Sequence, residues 1–403
     1  MALAQDAAAI AGDLAGLRRA IHAEPEIGLE LPLTQRKILA ALADLPLEVT
    51  LGTGLSSVTA VLRGGAQEDG AGPVVLLRAD MDALPVTERT GLDYASTIPG
   101  TMHACGHDLH TAMLAGAARL LSARRAELPG SVVFMFQPGE EGHGGAEIMI
   151  GEGVLDAAGP RACAAYALHV SSAEWAAGVF ASRAGTIMAA ADALEITVTG
   201  RGGHGSQPHQ AADPIPVACE IVTALQVMVT RRFDIFDPVV ITVGSFHAGT
   251  TDNVIPDEAR LQVTIRSFSP GARDRVRAAA VGLVHDVAAA HGLTATAGFA
   301  GAYPVTVNNE GETRFAAEVV ADVLGAGRYQ ALPDPMTGAE DFSFVLNEVP
   351  GAFVMLGACQ PGADPATAPF NHSAYAVFDD VVLADGATLL TELALRRLAR
   401  QLP

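Results

Sequence analysis

Residues 5–23 carry apolar side chains at helical spacing, and 34–45 suggest a second helix. Short apolar runs at 58–63, 73–78, 131–137 and 162–170 read as strands, the last ending at His169. Between them, 110–127 is a long Ala/Leu-rich helical stretch closed by Pro129 and Gly130. Strands alternating with helices imply a mainly parallel sheet, in which ligands bind beyond the carboxyl ends of the strands. The polar groups Asp80/Asp82, Glu140/Glu141 and His169 each fall at the end of such a run. That coincidence is the first mark of an active site.

The pattern changes near residue 186. Residues 192–200 alternate as a strand, and 213–232 form a helix with Asp213 as N-cap and Pro214 at its first position. Strands follow at 238–246 and 259–268, then a helix at 270–291 and a further strand-like stretch at 293–303. The order βαββαβ is a split-βαβ unit. From Pro304 the earlier rhythm resumes, with helical stretches at 312–324 and 379–402 around a strand at 352–357. The fold class is therefore α/β. A mainly parallel-sheet domain over 1–185 and 300–403 is interrupted by an α+β domain over 186–299, and 403 residues suit two domains.

Composition narrows the function. Half the residues are hydrophobic and 17% are charged, which excludes disorder and supports a large core. The formal charge is −20 and Lys37 is the only lysine, so no basic patch exists for nucleic acid and no Walker-type phosphate loop is present. A Schiff-base enzyme would have to use that one lysine. No apolar run reaches the ~18 residues of a spanning helix. The first residues carry Asp6 and Asp13 without a basic run, unlike a signal peptide, so a cytoplasmic protein without nucleic-acid or membrane partners is expected. The four cysteines form no CxxC pair; Cys163, Cys219 and Cys359 lie in apolar segments and read as buried small hydrophobes. Cys105 differs, because histidines flank it.

Residues 102–110 (MHACGHDLH) hold three histidines, a cysteine and an aspartate. Thiolate and imidazole suit Zn²⁺, Mn²⁺ or related ions, and Cys105 and His107 on an extended loop could reach one centre. The bland alternative is a helix start capped by Asp108. In QPGEEGH, two adjacent carboxylates at a strand end suit a division of labour, one binding metal and one moving a proton; alone they would be a solvated turn. His169 alone would more often be a satisfied core histidine, and His372 in the loop NHS is equally ambiguous alone. Asp80 and Asp82 in D-x-D project to one side of an extended chain, as ligands, as orienters or as a capped turn.

Taken together, LRADMDALP (77–85), MHACGHDLHTAML (102–114), FQPGEEG (136–142), ALHV (167–170), GRGGHGSQPH (200–209), TDNVIPDEARLQVTIRSF (251–268), TGAEDFSF (337–344) and NHS (371–373) resemble one family. It is the dimetal amidohydrolase branch of the aminoacylase/carboxypeptidase metallopeptidases, which includes hippurate hydrolases, N-acyl-amino-acid amidohydrolases and plant auxin-conjugate hydrolases. The resemblance covers nearly the whole chain. It implies Cys105, His107, Glu141, His169 and His372 as ligands of two divalent ions (Mn, Zn, Co or Ni), and Glu140 as general base. It implies Asp82 as an orienter. His204 would polarise the scissile carbonyl, and Asn253 and Arg266 would hold the substrate carboxylate. Asp80 stands where other branches place a ligand histidine. The inserted domain would be a lid and the site of homodimerisation. The activity implied is hydrolysis of N-acyl amino acids, with a dipeptidase or carboxypeptidase on the same scaffold as the alternative. A non-catalytic binder would have no use for Glu140, and a redox role for Cys105 would need a second thiol close in the fold.

Overall fold

The computed structural model describes residues 2–66 and 72–400. In chain order the elements begin with α1 (Ala2–Ala23), α2 (Pro32–Leu42), β1 (Glu48–Leu51), β2 (Val58–Arg63), β3 (Val74–Asp80), α3 (His107–Ser122), β4 (Ser131–Gln137), α4 (Gly145–Gly151), β5 (Ala164–Ala176) and β6 (Phe180–Ser182). Next come β7 (Ala190–Thr199), α5 (Pro214–Arg232), β8 (Val239–Ala248), β9 (Glu258–Ser267), α6 (Pro270–Ala290) and β10 (Thr294–Tyr303). Last are α7 (Glu310–Val323), β11 (Tyr329–Ala331), α8 (Phe342–Glu348), β12 (Gly351–Cys359) and α9 (Leu383–Ala399). The chain divides into two units. One is Met1–Ile187 with Val307–Asp334 and Asp341–Pro403; the other is Met188–Thr306 with Pro335–Glu340.

The first unit is built on an eight-stranded sheet in the order β1-β2-β4-β3-β5-β12-β6-β11. The interior run β4-β3-β5-β12 is parallel, as is β6 with β11. The pairs β1–β2, β2–β4 and β12–β6 are antiparallel. Every residue of β3, β4 and β12 is buried, as expected of strands covered on both faces, and this is why they read as unbroken apolar runs. Helices α1, α3 and α9 pack together, with Leu14, Met113, Leu114, Leu390 and Leu393 in the shared core.

Two element ends differ from the sequence reading, and both matter for the site. Strand β5 does not stop at His169 but runs on to Ala176, because β12 pairs alongside it, with Met355 opposite His169. Helix α3 begins at His107 rather than at residue 110, so His107 is not on an extended loop. Gly106 makes the entry turn with φ 84°, where a Cβ would meet Val170 Cγ2 at 2.3 Å. The helix ends at Ser122 and a separate 3₁₀ turn covers Arg125–Glu127.

The second unit has a four-stranded antiparallel sheet, β8-β9-β7-β10, with α5 and α6 packed on one face. Strand β9 alternates buried and exposed, with Ala259, Leu261, Val263 and Ile265 inward. Asp213 caps α5 by accepting from Ile215 N at 3.0 Å, with Pro214 in the first turn. Strand β10 continues past residue 299, the unit's main segment ends at Thr306, and Pro335–Glu340 returns to it. The short strands Gly203–His204 and Val254–Ile255 pair with each other.

All four cysteines are free. Cys359 is buried as expected, but Cys163 is only half-buried and Cys219 is exposed. Cys219 falls out of phase with the inward face of α5, which uses Val217, Ala218, Ile221, Leu225 and Met228. Among the described residues no helix is long and apolar enough to cross a membrane.

Candidate metal centre

Strands β3 and β4 lie parallel with Asp80 opposite Gln137, so their carboxyl ends deliver two acidic segments side by side. Asp82, just past β3, accepts from the backbone N–H of Glu140 at 3.0 Å through Oδ1 and from that of Glu141 at 3.1 Å through Oδ2. One buried carboxylate thus fixes the turn that carries both glutamates.

Asp80 has both oxygens engaged. Oδ2 accepts from Arg78 Nη1 at 2.7 Å and Oδ1 from His110 Nδ1 at 2.5 Å, with His107 Nε2 at 3.5 Å from Oδ2. Burial opposes its charge, but Arg78 and His107 outweigh that and hold the carboxyl well below the usual range. His110 Nε2 accepts from Val170 N at 2.8 Å, so Nδ1 carries the proton given to Asp80. Asp80 therefore orients its neighbours, and together with His107 and His110 it also forms a group of side chains able to hold a cation.

His169 on β5 donates from Nδ1 to Val170 O at 2.9 Å, which leaves the Nε2 lone pair 3.4 Å from Cys105 Sγ. Burial, and then the neighbouring His110, push its pKa well below the ordinary value, so the ring is neutral, the form that ligates metal. His372 approaches from the loop after β12. Its backbone has φ 72°, unusual for a residue other than glycine, and its N–H donates to Ala104 O at 2.8 Å. Asn371 holds that loop, accepting from Ser172 N at 3.0 Å and donating to Val170 O at 3.0 Å. His372 Nε2 lies 3.3 Å from Cys105 Sγ and 3.2 Å from Glu141 Oε1, and those two contacts push its pKa up to about 10.

Cys105 therefore stands between two histidines, His169 and His372, that are far apart in sequence. Cys105, His107 and His169 form one possible ligand group; Cys105, Glu141 and His372 form another; His107, Glu140 and Glu141 form a third. Within each group the donor atoms lie within 4.8 Å of one another. The buried atoms His107 Nδ1, His107 Nε2 and Glu141 Oε1 make no well-formed hydrogen bond among the described residues, although His107 lies 3.5 Å from Asp80 and Asp82 oxygens and Glu141 Oε1 lies 3.2 Å from His372 Nε2. Buried polar atoms rarely go unsatisfied, and a sulfur, imidazole and carboxylate set is what a borderline divalent cation would satisfy.

Four residues of this framework were not singled out for a role from the sequence: Arg78, His110, Gln137 and Asp341. Arg78 Nε donates to Gln137 Oε1 and Nη2 to Asp341 Oδ1, both at 2.8 Å. Gln137 Nε2 donates to Asp341 Oδ2 at 2.7 Å, and the Asp341 backbone N–H faces Glu140 Oε1 at 3.4 Å. Burial raises the Asp341 carboxyl against the pull of Arg78. The signal was an arginine ending an otherwise apolar strand, since a buried guanidinium must find acceptors.

His204, Asn253 and Arg266 lie in the second unit. His204 is exposed, and its Nδ1 accepts from Ser206 N at 3.2 Å, so the neutral ring carries its proton on Nε2. Asn253 is beside it, its carbonyl accepting from Gly205 N at 2.8 Å. Arg266 is half-buried on the face of β9 opposite Ile265, where it donates to Thr264 Oγ1 at 2.7 Å.

The profile of peptidase family M20/M25/M40 matches residues 76–396. Thermostable carboxypeptidase 2 of Saccharolobus solfataricus is 38% identical over 94% of this chain and 94% of its own. N-acetylcysteine deacetylase of Bacillus subtilis is 36% identical over 94% of this chain and 96% of its own. Among solved structures, the Bacillus subtilis YXEP protein, a dinuclear metal binding peptidase from the M20 family, superposes with a TM-score of 0.81 at 32% identity, covering 97% of this chain and 99% of its own. A profile match over most of the length, with relatives of this identity, means that the chain belongs to peptidase family M20/M25/M40.

Proposed function

We propose that the protein is a metal-dependent hydrolase that cleaves the amide bond of N-acyl amino acids (N-acetyl, N-benzoyl or similar), releasing a carboxylate and a free amino acid. The observation that carries this reading is the pair of ligand groups sharing Cys105, with Glu140 beside them. Two divalent ions, Mn, Zn, Co or Ni, would be held by Cys105, His107 and His169 on one side and by Cys105, Glu141 and His372 on the other. The dinuclear relative and the deacetylase relative support the same assignment. When bound, such ions lower the pKa of water and polarise a carbonyl.

The chain's own groups do the rest. Glu140, fixed by Asp82, takes the proton of the attacking water and returns it to the leaving amine nitrogen. His204, with its proton on Nε2, donates to the developing oxyanion, a contact of the kind typically worth ~2.7–4 kcal/mol. Arg266 and Asn253 hold the substrate carboxylate; a guanidinium fits it in bidentate geometry. The second unit serves as lid and as the surface of a cytoplasmic homodimer.

The carboxypeptidase relative favours a second reading, cleavage of peptides at a free carboxyl end by the same groups. One experiment separates the two. The chain is stripped with chelator and reloaded with Mn²⁺, Zn²⁺, Co²⁺ or Ni²⁺. It is then assayed on N-acetyl, N-benzoyl and indoleacetyl amino acids and on dipeptides. The expected result is two ions bound per chain and faster turnover of N-acyl amino acids. Faster turnover of dipeptides would replace the proposal with the second reading.

A further inference from the structure

Helix α1 places two basic residues, Arg18 and His22, four apart on one face, and both are buried. They converge on a single carboxylate, with Arg18 Nε at 2.7 Å and His22 Nδ1 at 2.8 Å from Asp108 Oδ2. Asp108 is the second residue of α3, and His107 is the first. A carboxylate in the first turn sits at the positive end of the helix dipole, so the α1 pair grips the end of α3 that carries the ligand.

The grip is itself braced. His22 Nε2 meets Glu88 Oε1 at 3.2 Å, and the other Glu88 oxygen accepts from Ser96 N at 2.7 Å. Arg18 Nη1 donates to Tyr94 OH at 2.6 Å and lies 3.2 Å from Asp380 Oδ1. Just after α1, Glu26 O accepts from Ala83 N at 2.8 Å, and Ala83 follows Asp82 directly. One segment of chain thus touches the neighbours of both His107 and Asp82.

Packing alone does not account for this cluster. Helices α1 and α3 already meet through apolar contact, with Leu14 set against Gly116 so closely that a Cβ there would lie 2.9 Å from Leu14 Cδ1. Burying charges is costly, and apolar replacements hold helices together at least as well. What a directional cluster adds is a fixed position for the first turn.

We infer that Arg18 and His22 are positioning residues for the metal centre, acting through Asp108 to set the His107 ring. The inference rests on the proposed dimetal reading.

The test uses the full chain and measures metal directly. His22→Asn and His22→Gln both remove the ring, but only the asparagine amide falls where Nδ1 sits and keeps the donor to Asp108. Affinity for Zn²⁺ is measured by competition with a chelating dye well below the melting temperature, alongside the visible spectrum of the Co²⁺-loaded protein. His22→Gln is expected to lose roughly 10–100-fold in affinity for one ion, with a shifted Co²⁺ spectrum, and His22→Asn to recover most of both. Arg18→Lys, a milder change than removal of the charge, is expected to weaken the same ion. If His22→Gln folds and binds both ions as wild type does, with the same spectrum, the inference is wrong, even if its melting temperature falls. If wild type itself binds no ion, the dimetal reading fails and takes this one with it, so the two failures are distinct.

Discussion

A carboxylate whose backbone N–H is held by another carboxylate has little freedom, and Glu140 is in that state. Its replacement by alanine is expected to leave metal content unchanged while kcat falls by ~10²–10⁴, the usual loss of a general base. Near-normal kcat would remove Glu140 from the mechanism. Arg266 allows a different test, because its guanidinium donates to a hydroxyl and a carbonyl rather than to an acid. Burial lowers its pKa against the pull of Asp192, and a bound carboxylate would relieve that cost. Arg266→Lys is expected to lose most of the preference for an N-acyl amino acid over its carboxamide, about 1.5–3 kcal/mol for a charged hydrogen bond. An unchanged acid-to-amide ratio in kcat/KM would hand that role to Asn253.

The elements show why some of this was legible in the sequence and some was not. Strands β3, β4 and β12 announce themselves because both faces are buried, and the alternation of β9 because one face is. Strand β1 is exposed at all four residues and β6 is three residues long, so neither leaves a pattern. The end of β5 was misplaced because strand length is set by its neighbour β12, which comes almost two hundred residues later. The residue types around the centre were visible as motifs, but the Arg78–Gln137–Asp341 network joins three elements that no local spacing relates. The α1 cluster was equally hidden, since Arg18 and His22 look like the polar face of an ordinary helix until Asp108 is brought to them. That cluster predicts a pH dependence. Burial works against the charge on His22, but Asp108 and Glu88 overcome it and raise its pKa to about 9. A raised folded pKa stabilises fully below the unfolded value of ~6.5 and is lost as pH rises through about 9. The difference in melting temperature between wild type and His22→Gln is therefore expected to be largest near pH 6 and to shrink toward pH 9.5. A constant difference would mean that the ring is neutral in the fold.

At the scale of the whole molecule, the second unit has an outer strand that asks for a partner. β8 is an edge of its sheet, with Val240 and Phe246 exposed, and the turn before it exposes Ile235 and Phe236. Unpaired edges with apolar side chains are hazards that proteins commonly cover, and pairing two copies about a two-fold axis satisfies both. Light scattering at micromolar concentration is expected to give the mass of two 41.4 kDa chains. Val240→Lys with Phe246→Lys is expected to halve it; a wild-type mass of one chain would dismiss the dimer.

The place of β12 in the sheet carries a last consequence, for the order in which the protein is made. The strand lies between β5 and β6, yet it begins only at residue 351, and His372 emerges from the ribosome later still. Until then β5 has an open flank, and the candidate ligand group that includes His372 is incomplete. A nascent chain can therefore assemble β1 to β5 early but must hold a gap in the middle of its largest sheet until the last fifth is delivered. Contacts so distant in sequence form slowly and leave apolar strand edges exposed meanwhile. A chain cut short before β12 is expected to aggregate rather than to survive as a weak enzyme.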